Sequence, residues 1–211
     1  MAEIKNIVFD LGRVLVDFDH QIFVDYLLQS GAALISEAEF TKLTRLKEFE
    51  TGGISGEEFI ALVLKLLPGR PGLGPEAAAR ELTERWQKIF TPIEEMFNLA
   101  RELKPDYRTF VISNTNELHW DYILSEYQLD HAVHGLLALF EAGLMKPDER
   151  IFKLAESRFD ILPGESVFID DIEANLSGAK IRGWKTIHHR SPETTIGELR
   201  RLGIRIGSIG K

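Results

Sequence analysis

Acidic, hydroxyl and amide side chains follow three separate apolar runs of the sequence, at positions where a buried strand would end. They are Asp10 in NIVFD, Ser113 and Asn114 in TFVISN, and Asp170 and Asp171 in SVFIDD. Ligands of open parallel sheets bind beyond the carboxyl ends of the strands, near the point where the strand order reverses. The pattern therefore predicts one polar site that is assembled from several strand ends.

A lysine adds a positive charge to this predicted site, because Lys146 precedes Pro147 and Asp148 at the predicted start of a helix. Carboxylates ~4 Å apart repel each other by about 4 kcal/mol at a surface-like dielectric, and a phosphate dianion would be repelled further. A hard divalent cation removes this conflict, and Mg²⁺ held by one or two carboxylates plus a substrate phosphate is the usual arrangement. One carboxylate can then attack phosphorus while the lysine and the hydroxyl stabilise the phosphoryl oxygens.

The elements that must position these side chains are predicted from hydrophobic periodicity. After residue 104, short apolar runs alternate with segments of helical period, which is typical of a doubly wound parallel sheet. Continuous apolar runs predict strands at residues 5–10, 109–116, 132–139, 166–171 and 184–189.

About 70 residues of helical pattern separate the first predicted strand from the next. Ser36 with Glu39, and Ser55 with Glu58, have the spacing of a capping box, in which each side chain bonds the other residue's backbone. Residues 68–75 are rich in Gly and Pro and predict a loop. Helix-start signals at Thr91, as N-cap, and Pro92, as first helical residue, predict a helix that begins there.

Composition excludes several classes of function. The 211 residues include 25 Lys plus Arg against 33 Asp plus Glu, and the net charge of -8 disfavours nucleic acid as a partner. The absence of Cys excludes disulfides and thiolate chemistry. No apolar run approaches the ~18 residues of a membrane span. We expect a soluble cytoplasmic protein.

Four segments together resemble the haloacid dehalogenase (HAD) superfamily, in its subclass I with a helical cap after the first strand. They are VFDLGRVL, VISNTN, GLMKPDERIF and VFIDDIEANLSGA, in the family's order. The chain is similar to sugar-phosphate phosphatases such as glucose-1-phosphate phosphatases, and to the phosphatase domain of soluble epoxide hydrolases. The resemblance implies a Rossmann-like α/β core of residues 1–16 and 91–211, and an inserted helical-bundle cap of residues 17–90.

The resemblance also implies roles for individual residues. Asp10 corresponds to the family's nucleophile and metal ligand, Ser113 to its phosphate-binding hydroxyl, and Lys146 to the cation that orients the phosphate. Asp170 and Asp171 correspond to its acidic metal-binding pair.

The same resemblance implies supporting roles for three further residues. Asn114 and Asn116 are expected to contact phosphate or substrate, and Asn175 to support the loop that carries the acidic pair. The cap is expected to close over a small, sugar phosphate-like metabolite and to exclude water.

The chain departs from most family phosphatases at Gly12, where they have a second aspartate that acts as general acid and then as general base. The Gly12 carbonyl can still be a Mg²⁺ ligand, but the proton-transfer role is vacant or is filled by another residue. Asp17, Asp19 and His20 are candidates if the following segment folds over the site.

The sequence leaves alternatives to a Mg²⁺-dependent phosphatase. A 2-haloacid dehalogenase also uses a strand-end aspartate and lacks the second one, but it needs no metal and leaves Asp170 and Asp171 unexplained. A phosphomutase would require the missing acid, and a catalytically weak protein could merely bind a phosphorylated ligand.

Overall fold

Seven strands and eleven α-helices form the part of the chain that the computed structural model describes, which is residues 3–33, 36–68 and 74–207. The strands are β1 (Asn6–Phe9), β2 (Val16–Phe18), β3 (Phe90–Pro92), β4 (Arg108–Ser113), β5 (Gly135–Ala138), β6 (Ser166–Asp170) and β7 (Lys185–His188). The helices are α1 (His20–Gln29), α2 (Glu37–Leu43), α3 (Leu46–Glu50), α4 (Gly56–Leu64), α5 (Pro75–Gln87), α6 (Glu94–Leu103), α7 (Glu117–Tyr127), α8 (Leu129–Ala132), α9 (Glu149–Phe159), α10 (Glu173–Ile181) and α11 (Pro192–Arg201).

Five strands pair in parallel in the order β5-β4-β1-β6-β7, which confirms the predicted doubly wound sheet. The chain moves outward from β1 through β4 to β5 and then returns to β6 on the other side. The strand order therefore reverses around β1, and the carboxyl end of β1 is the place where such folds bind ligands.

The sheet is covered on both faces, which explains why its strands are apolar at successive positions. Ile7 and Phe9 of β1 belong to a core cluster that includes residues of α6, α7, α8 and α11. Val8 points to the other face, into a cluster with residues of α9 and α10. Since both faces of β1 are fully buried, Asp10 is the first residue of this strand that can meet solvent or ligand.

The helices between β2 and β3 bury a third apolar cluster of their own. Its largest members are Phe23, Phe49, Phe59 and Trp86, and its buried members all lie between residues 23 and 89. The division of the chain into a core and a cap at residues 16/17 and 90/91 stays a prediction. At those two positions the structure has the strands β2 and β3, which pair with each other in antiparallel.

The pairing of β2 with β3 makes one predicted helix start wrong. Thr91 is not an N-cap, because it lies opposite Asp17 in the two-stranded ribbon, and Pro92 pairs with Val16. Helix α6 begins at Glu94, with Ile93 in the N-cap position and no side-chain cap. The Thr-Pro-Ile-Glu signal is local, whereas the ribbon depends on a strand more than 70 residues away.

The two predicted capping boxes differ in the structure. Ser36 and Glu39 form the complete box. Ser55 accepts a hydrogen bond from the Glu58 N–H at 3.1 Å, but the Glu58 carboxylate pairs with Arg45. Residues 69–73 of the predicted Gly/Pro loop lie outside the described residues. None of the described helices combines the length and the apolarity that crossing a bilayer requires.

Gly178 of α10 packs against the loop that carries Lys146, and this contact predicts a stability effect. A Cβ at position 178 would overlap the Pro147 carbonyl oxygen and lie 2.7 Å from the Phe152 ring. We expect Gly178→Ala to lower the free energy of unfolding by about 1 to 3 kcal/mol, as overpacking does. Urea unfolding monitored by circular dichroism measures it.

Gly197 of α11 provides the control, because it is also helical but has no atom within 4 Å of the added Cβ. Gly197→Ala should raise the free energy of unfolding by about 0.5 to 1 kcal/mol, since Ala restricts the unfolded chain and favours helix. Equal effects of the two substitutions would contradict the close approach at Gly178.

Candidate active site

Asp10 lies at the carboxyl end of β1, inside the sheet edge. Its backbone N–H donates to the Ile169 carbonyl at 2.8 Å, so the strand pairing continues through it. Its carboxylate Oδ1 accepts from the Leu11 N–H at 2.7 Å and from Lys146 Nζ at 2.7 Å. The residue is only 6% exposed, so this carboxylate has a fixed position and little contact with water.

The Lys146 ammonium is buried between two carboxylates. Its Nζ lies 2.7 Å from Asp10 Oδ1, 2.7 Å from Asp170 Oδ2 and 3.3 Å from the Ile112 carbonyl oxygen. An ammonium has three donors, and these three acceptors satisfy all of them. The residue is therefore positioned at the point where β1, β4 and β6 end.

Asn114 holds the backbone of Lys146 from both sides. The Lys146 N–H donates to Asn114 Oδ1 at 2.9 Å, and Asn114 Nδ2 donates to the Lys146 carbonyl at 3.4 Å. Sequence reasoning predicted a substrate contact for Asn114, and the structure places its amide on the lysine loop. Its side chain also borders the cavity described below, so the predicted contact stays a prediction.

Asp170 is completely buried at the end of β6, and both of its carboxylate oxygens accept hydrogen bonds. Oδ1 accepts from the Ile172 N–H at 2.8 Å and from Asn175 Nδ2 at 3.0 Å, while Oδ2 accepts from Lys146. Asn175 thus supports the acidic loop in the way the sequence predicted. Asp171 is half-buried beside it, and its carbonyl oxygen lies 2.8 Å from His188 Nε2.

The cluster holds more negative charge than its lysine can neutralise. Burial raises the pKa of Asp10 to about 7, the Lys146 charge partly opposes this, and Asp170 adds to it. Burial would lower the pKa of Lys146, but the two carboxylates outweigh it and raise this pKa above its usual value. Burial and the Asp170 charge also raise the pKa of Asp171. One ammonium therefore faces three carboxylates.

This donor set fits a hard divalent cation. Oxygen atoms of Asp10, Asp170 and Asp171 lie within 4.8 Å of one another, and all are carboxylate oxygens. Mg²⁺ and Ca²⁺ prefer such ligands, and a divalent charge would balance the excess that raises the pKa values of Asp10 and Asp171. The structure thus brings together the predicted metal-binding carboxylates, which the sequence separates by 160 residues.

A cavity of about 740 Å³ opens beside this cluster and extends towards the helices between β2 and β3. Leu11, Gly12, Ser113 and Asn114 border it at the sheet edge. Ser113 is the last residue of β4 and is 2% exposed. The residue predicted to supply the phosphate-binding hydroxyl therefore borders the cavity at the sheet edge, and its contact with phosphate stays a prediction.

Asn116 also borders the cavity, but its amide is engaged by His119. Oδ1 caps α7 by accepting from the His119 N–H at 3.1 Å, and Nδ2 lies 3.0 Å from His119 Nδ1. A contact of Asn116 with substrate stays a prediction. Its observed interactions are those of a helix cap.

Gly12 is next to the Phe18 ring, a contact that no sequence pattern predicted. A Cβ at position 12 would lie 3.1 Å from the Phe18 ring. Asp17 and Asp19, two of the predicted substitutes for the missing aspartate, have other partners: Asp17 pairs with Arg13, and Asp19 caps α1 by accepting from Gln21. The third, His20, borders the cavity.

His119 is a site residue that sequence reasoning missed. It is buried, stacks on Trp86 with ring centroids 4.6 Å apart, and lies 3.1 Å from the Trp86 carbonyl through Nε2. Burial lowers its pKa to about 3. A neutral His119 therefore joins α7 of the sheet region to α5 of the helical region. The Asn-x-x-His spacing at a helix start was the only available signal.

Comparison with known proteins points to one family of hydrolases. The model of haloacid dehalogenase-like hydrolases matches residues 4–181. A D-ribitol-5-phosphate phosphatase of Bacteroides thetaiotaomicron is 28% identical over 196 residues, which are 87% of this chain and 90% of that protein. The sesquiterpene phosphatase of Aspergillus oryzae is 24% identical over 207 residues, which cover 94% of this chain and 96% of that protein.

A solved structure shares the fold. It is a HAD family enzyme of Bacteroides thetaiotaomicron in complex with magnesium and inorganic phosphate. The TM-score is 0.77 at 24% identity, and the match covers 89% of this chain and 94% of that chain.

The Phe18 ring predicts the effect of restoring an aspartate at position 12. Gly12→Asp should lower the free energy of unfolding by about 1 kcal/mol, because the Phe18 ring must shift by a few tenths of an ångström to admit Cβ. Adding Phe18→Ala should recover about 1 kcal/mol of this loss as a coupling energy in a double-mutant cycle of urea unfolding. Gly164→Asp, in open space, is the control. Strict additivity of the two substitutions would contradict the contact.

The lowered pKa of His119 predicts a pH dependence of stability. In the unfolded chain the histidine has a pKa of about 6.5 and binds a proton below that pH, whereas in the folded protein His119 stays neutral down to about pH 3. The free energy of unfolding therefore falls as the pH decreases between these two values. The slope is at most about 1.4 kcal/mol per pH unit. His119→Gln should remove this component, measured by urea unfolding from pH 7 to 4. The exposed His131→Gln should keep the wild-type slope, and parallel profiles for all three proteins would contradict the prediction.

Proposed function

Because the chain belongs to the haloacid dehalogenase-like hydrolases, we propose that it is a Mg²⁺-dependent phosphatase that hydrolyses a small phosphorylated metabolite through a phosphoryl intermediate on Asp10. The observation that carries the proposal is the buried lysine shared between Asp10 and Asp170, with Asp171 as a third carboxylate. Such a cluster favours a divalent cation and an anionic substrate together. The relatives named as phosphatases support the same reaction.

Asp10, Asp170 and Asp171 would hold Mg²⁺, with the Gly12 carbonyl as a further ligand. When bound, the ion neutralises the carboxylates and withdraws charge from the phosphoryl oxygens. The remaining steps depend on the side chains of this chain.

Asp10 is positioned to act as the nucleophile. The hydrogen bonds that its carboxylate accepts from described residues both go to Oδ1, which leaves Oδ2 for attack on phosphorus. A bond forms between Oδ2 and phosphorus while the bond from phosphorus to the substrate oxygen breaks, and the alcohol leaves. Water then attacks phosphorus, releases inorganic phosphate and regenerates the Asp10 carboxylate.

Lys146 and Ser113 would stabilise the transferring group. The Lys146 ammonium keeps Asp10 oriented and offers a point charge near the incoming phosphate. The Ser113 hydroxyl, at the border of the cavity, would donate to a phosphoryl oxygen. Asn114 acts on this chemistry as a positioning residue, because it holds the Lys146 backbone on both sides.

The reaction requires two proton transfers, one to the leaving alcohol and one from the attacking water. Position 12 has no aspartate to carry them out. General acid and base catalysis contributes about 10² to 10⁴-fold. The enzyme is therefore expected to be slow on poor leaving groups. Of the three substitutes considered from the sequence, His20 is the one that borders the cavity and can exchange a proton there.

The alternative of a 2-haloacid dehalogenase is less well supported. Its substrate carries a carboxylate, and none of the described residues that line the cavity is Lys or Arg. Lys146 is already shared by two carboxylates. An added carboxylate would thus meet the excess negative charge of the acidic cluster, which no divalent cation offsets in this metal-independent reaction.

Substitution of Asp10 tests the proposed reaction. Asp10→Asn should lower phosphate release from a panel of sugar, polyol and alkyl phosphates by at least about 10³-fold, because the amide is a poor nucleophile. Chelation of Mg²⁺ should abolish wild-type release, and added Mg²⁺ should restore it. Phosphate is measured with a colorimetric assay at fixed pH.

The exposed Asp121→Asn is the matched control and should keep the wild-type rate. Phosphate release that continues at the wild-type rate both in Asp10→Asn and after chelation of Mg²⁺ would contradict the proposal. Chloride release from 2-chloropropionate without metal would establish the dehalogenase in its place.

A further inference from the structure

We propose that the substrate is the phosphate monoester of an alcohol with an extended apolar body and no second anionic group. This inference rests on the proposed phosphatase function and deepens it by naming the chemical class of the alcohol. It is carried by the lining of the cavity, whose two ends have different chemistry.

The cavity is continuous from the catalytic residues to the helices that follow β2. Its sheet end is bordered by Leu11, Gly12, Ser113 and Asn114, which flank Asp10 and the lysine loop. Its volume of about 740 Å³ lies within the range of sites that enclose a drug-sized ligand, about 300 to 1,000 Å³. A phosphate bound at the sheet end would fill only part of this space.

Helix α1 presents an uncovered apolar surface to the cavity. Phe23 and Leu27 lie one turn apart and are buried in the apolar cluster of the helical region. Val24 follows Phe23 in the chain, and Leu28 follows Leu27. Both border the cavity, and they are 42% and 40% exposed. Burial of such a surface by an apolar ligand is favourable in proportion to the area removed from water.

Phe40 of α2 and Leu46 of α3 extend this apolar lining. The polar residues at the same end are Gln21, Glu37, Thr41 and Glu50, and the Gln21 amide already donates to Asp25 at 2.7 Å. Hydroxyl groups of a sugar placed against Val24 and Leu28 would lose water without gaining partners, which costs free energy. An alkyl, terpenoid or aromatic body has no such cost.

The charge of the lining excludes a second anion on the substrate. Among the described lining residues there is no Lys or Arg, whereas Glu37 and Glu50 are both present. Glu50 is half-buried, and its burial raises its pKa. A bisphosphate or a phosphorylated carboxylic acid would place negative charge beside these groups. Of the two relatives described above, the sesquiterpene phosphatase is named for an apolar class of compound and the D-ribitol-5-phosphate phosphatase for a polar one, so the inference rests on the lining and not on these names.

A series of alkylphosphonates from ethyl to octyl tests the inference without turnover. Calorimetric titration of the Mg²⁺-loaded protein should show affinity that rises about two- to fourfold per methylene, as burial of apolar surface predicts. The kcat/KM values of the matching alkyl phosphates should rise in parallel and should exceed that of ribitol 5-phosphate. Affinity that is flat across the phosphonates, or no phosphonate binding at all, would overturn the inference.

The same series separates this inference from the proposed function. Phosphate release without dependence on chain length leaves the phosphatase standing and overturns the apolar substrate class. Phosphonate affinity that rises with chain length, in a protein that hydrolyses none of the phosphates, supports the apolar site and overturns the phosphatase.

Paired leucine variants locate the binding surface. Leu28→Glu should weaken octylphosphonate by about tenfold or more and change ethylphosphonate less than about threefold, because only the long chain reaches α1. Leu43→Glu is the matched control: it is a leucine of a neighbouring helix, 49% exposed, and does not border the cavity. Circular dichroism of both variants checks their folding. Equal loss of octylphosphonate affinity in the two variants would overturn the inference.

Discussion

The sharing of one buried ammonium between two buried carboxylates is the interaction on which the site depends. Lys146 lies 2.7 Å from Asp10 and from Asp170, at the ends of two neighbouring strands. Buried charges are tolerated only when paired and hydrogen-bonded, so the surrounding structure must hold all three groups in register. Asn114 binds the lysine backbone, Asn175 binds Asp170, and the parallel pairing of β1 with β6 brings the two acids level. The excess negative charge that remains makes the site suited to a divalent cation.

The helical region between β2 and β3 forms the other side of the cavity and has different physical properties. It buries its own apolar cluster, and it joins the sheet region through the paired strands β2 and β3 and through the contact of His119 with Trp86. The cavity lies where these two regions meet. One end therefore offers charge and hydrogen bonds to a phosphate, and the other offers uncovered aliphatic and aromatic surface. A phosphate monoester with an apolar body matches both ends.

Gly12 and Phe18 affect both proton transfer in the proposed reaction and the apolar surface that the cavity offers to a substrate. In place of an aspartate, the chain has a glycine beside an aromatic ring that also borders the cavity. The Phe18 ring lies 6.0 Å from the Phe90 ring and 5.0 Å from the His20 ring. The position that transfers protons in most family phosphatases has thus become part of an apolar wall. At this position the chain presents apolar contact surface in place of a carboxylate.

The sequence by itself determined the parallel sheet, the three polar strand ends and the convergence of Asp10 with Lys146 and Asp170, because strand periodicity and strand-end residues are local signals. It also identified the family, since four motifs occur in order. Only the tertiary structure decided that Thr91 belongs to a strand, that His119 stacks on Trp86, and that α1 leaves Val24 and Leu28 uncovered. Each of these depends on contacts between residues that are distant in the chain or on which side of a helix remains unpacked. Neither is encoded in a local pattern.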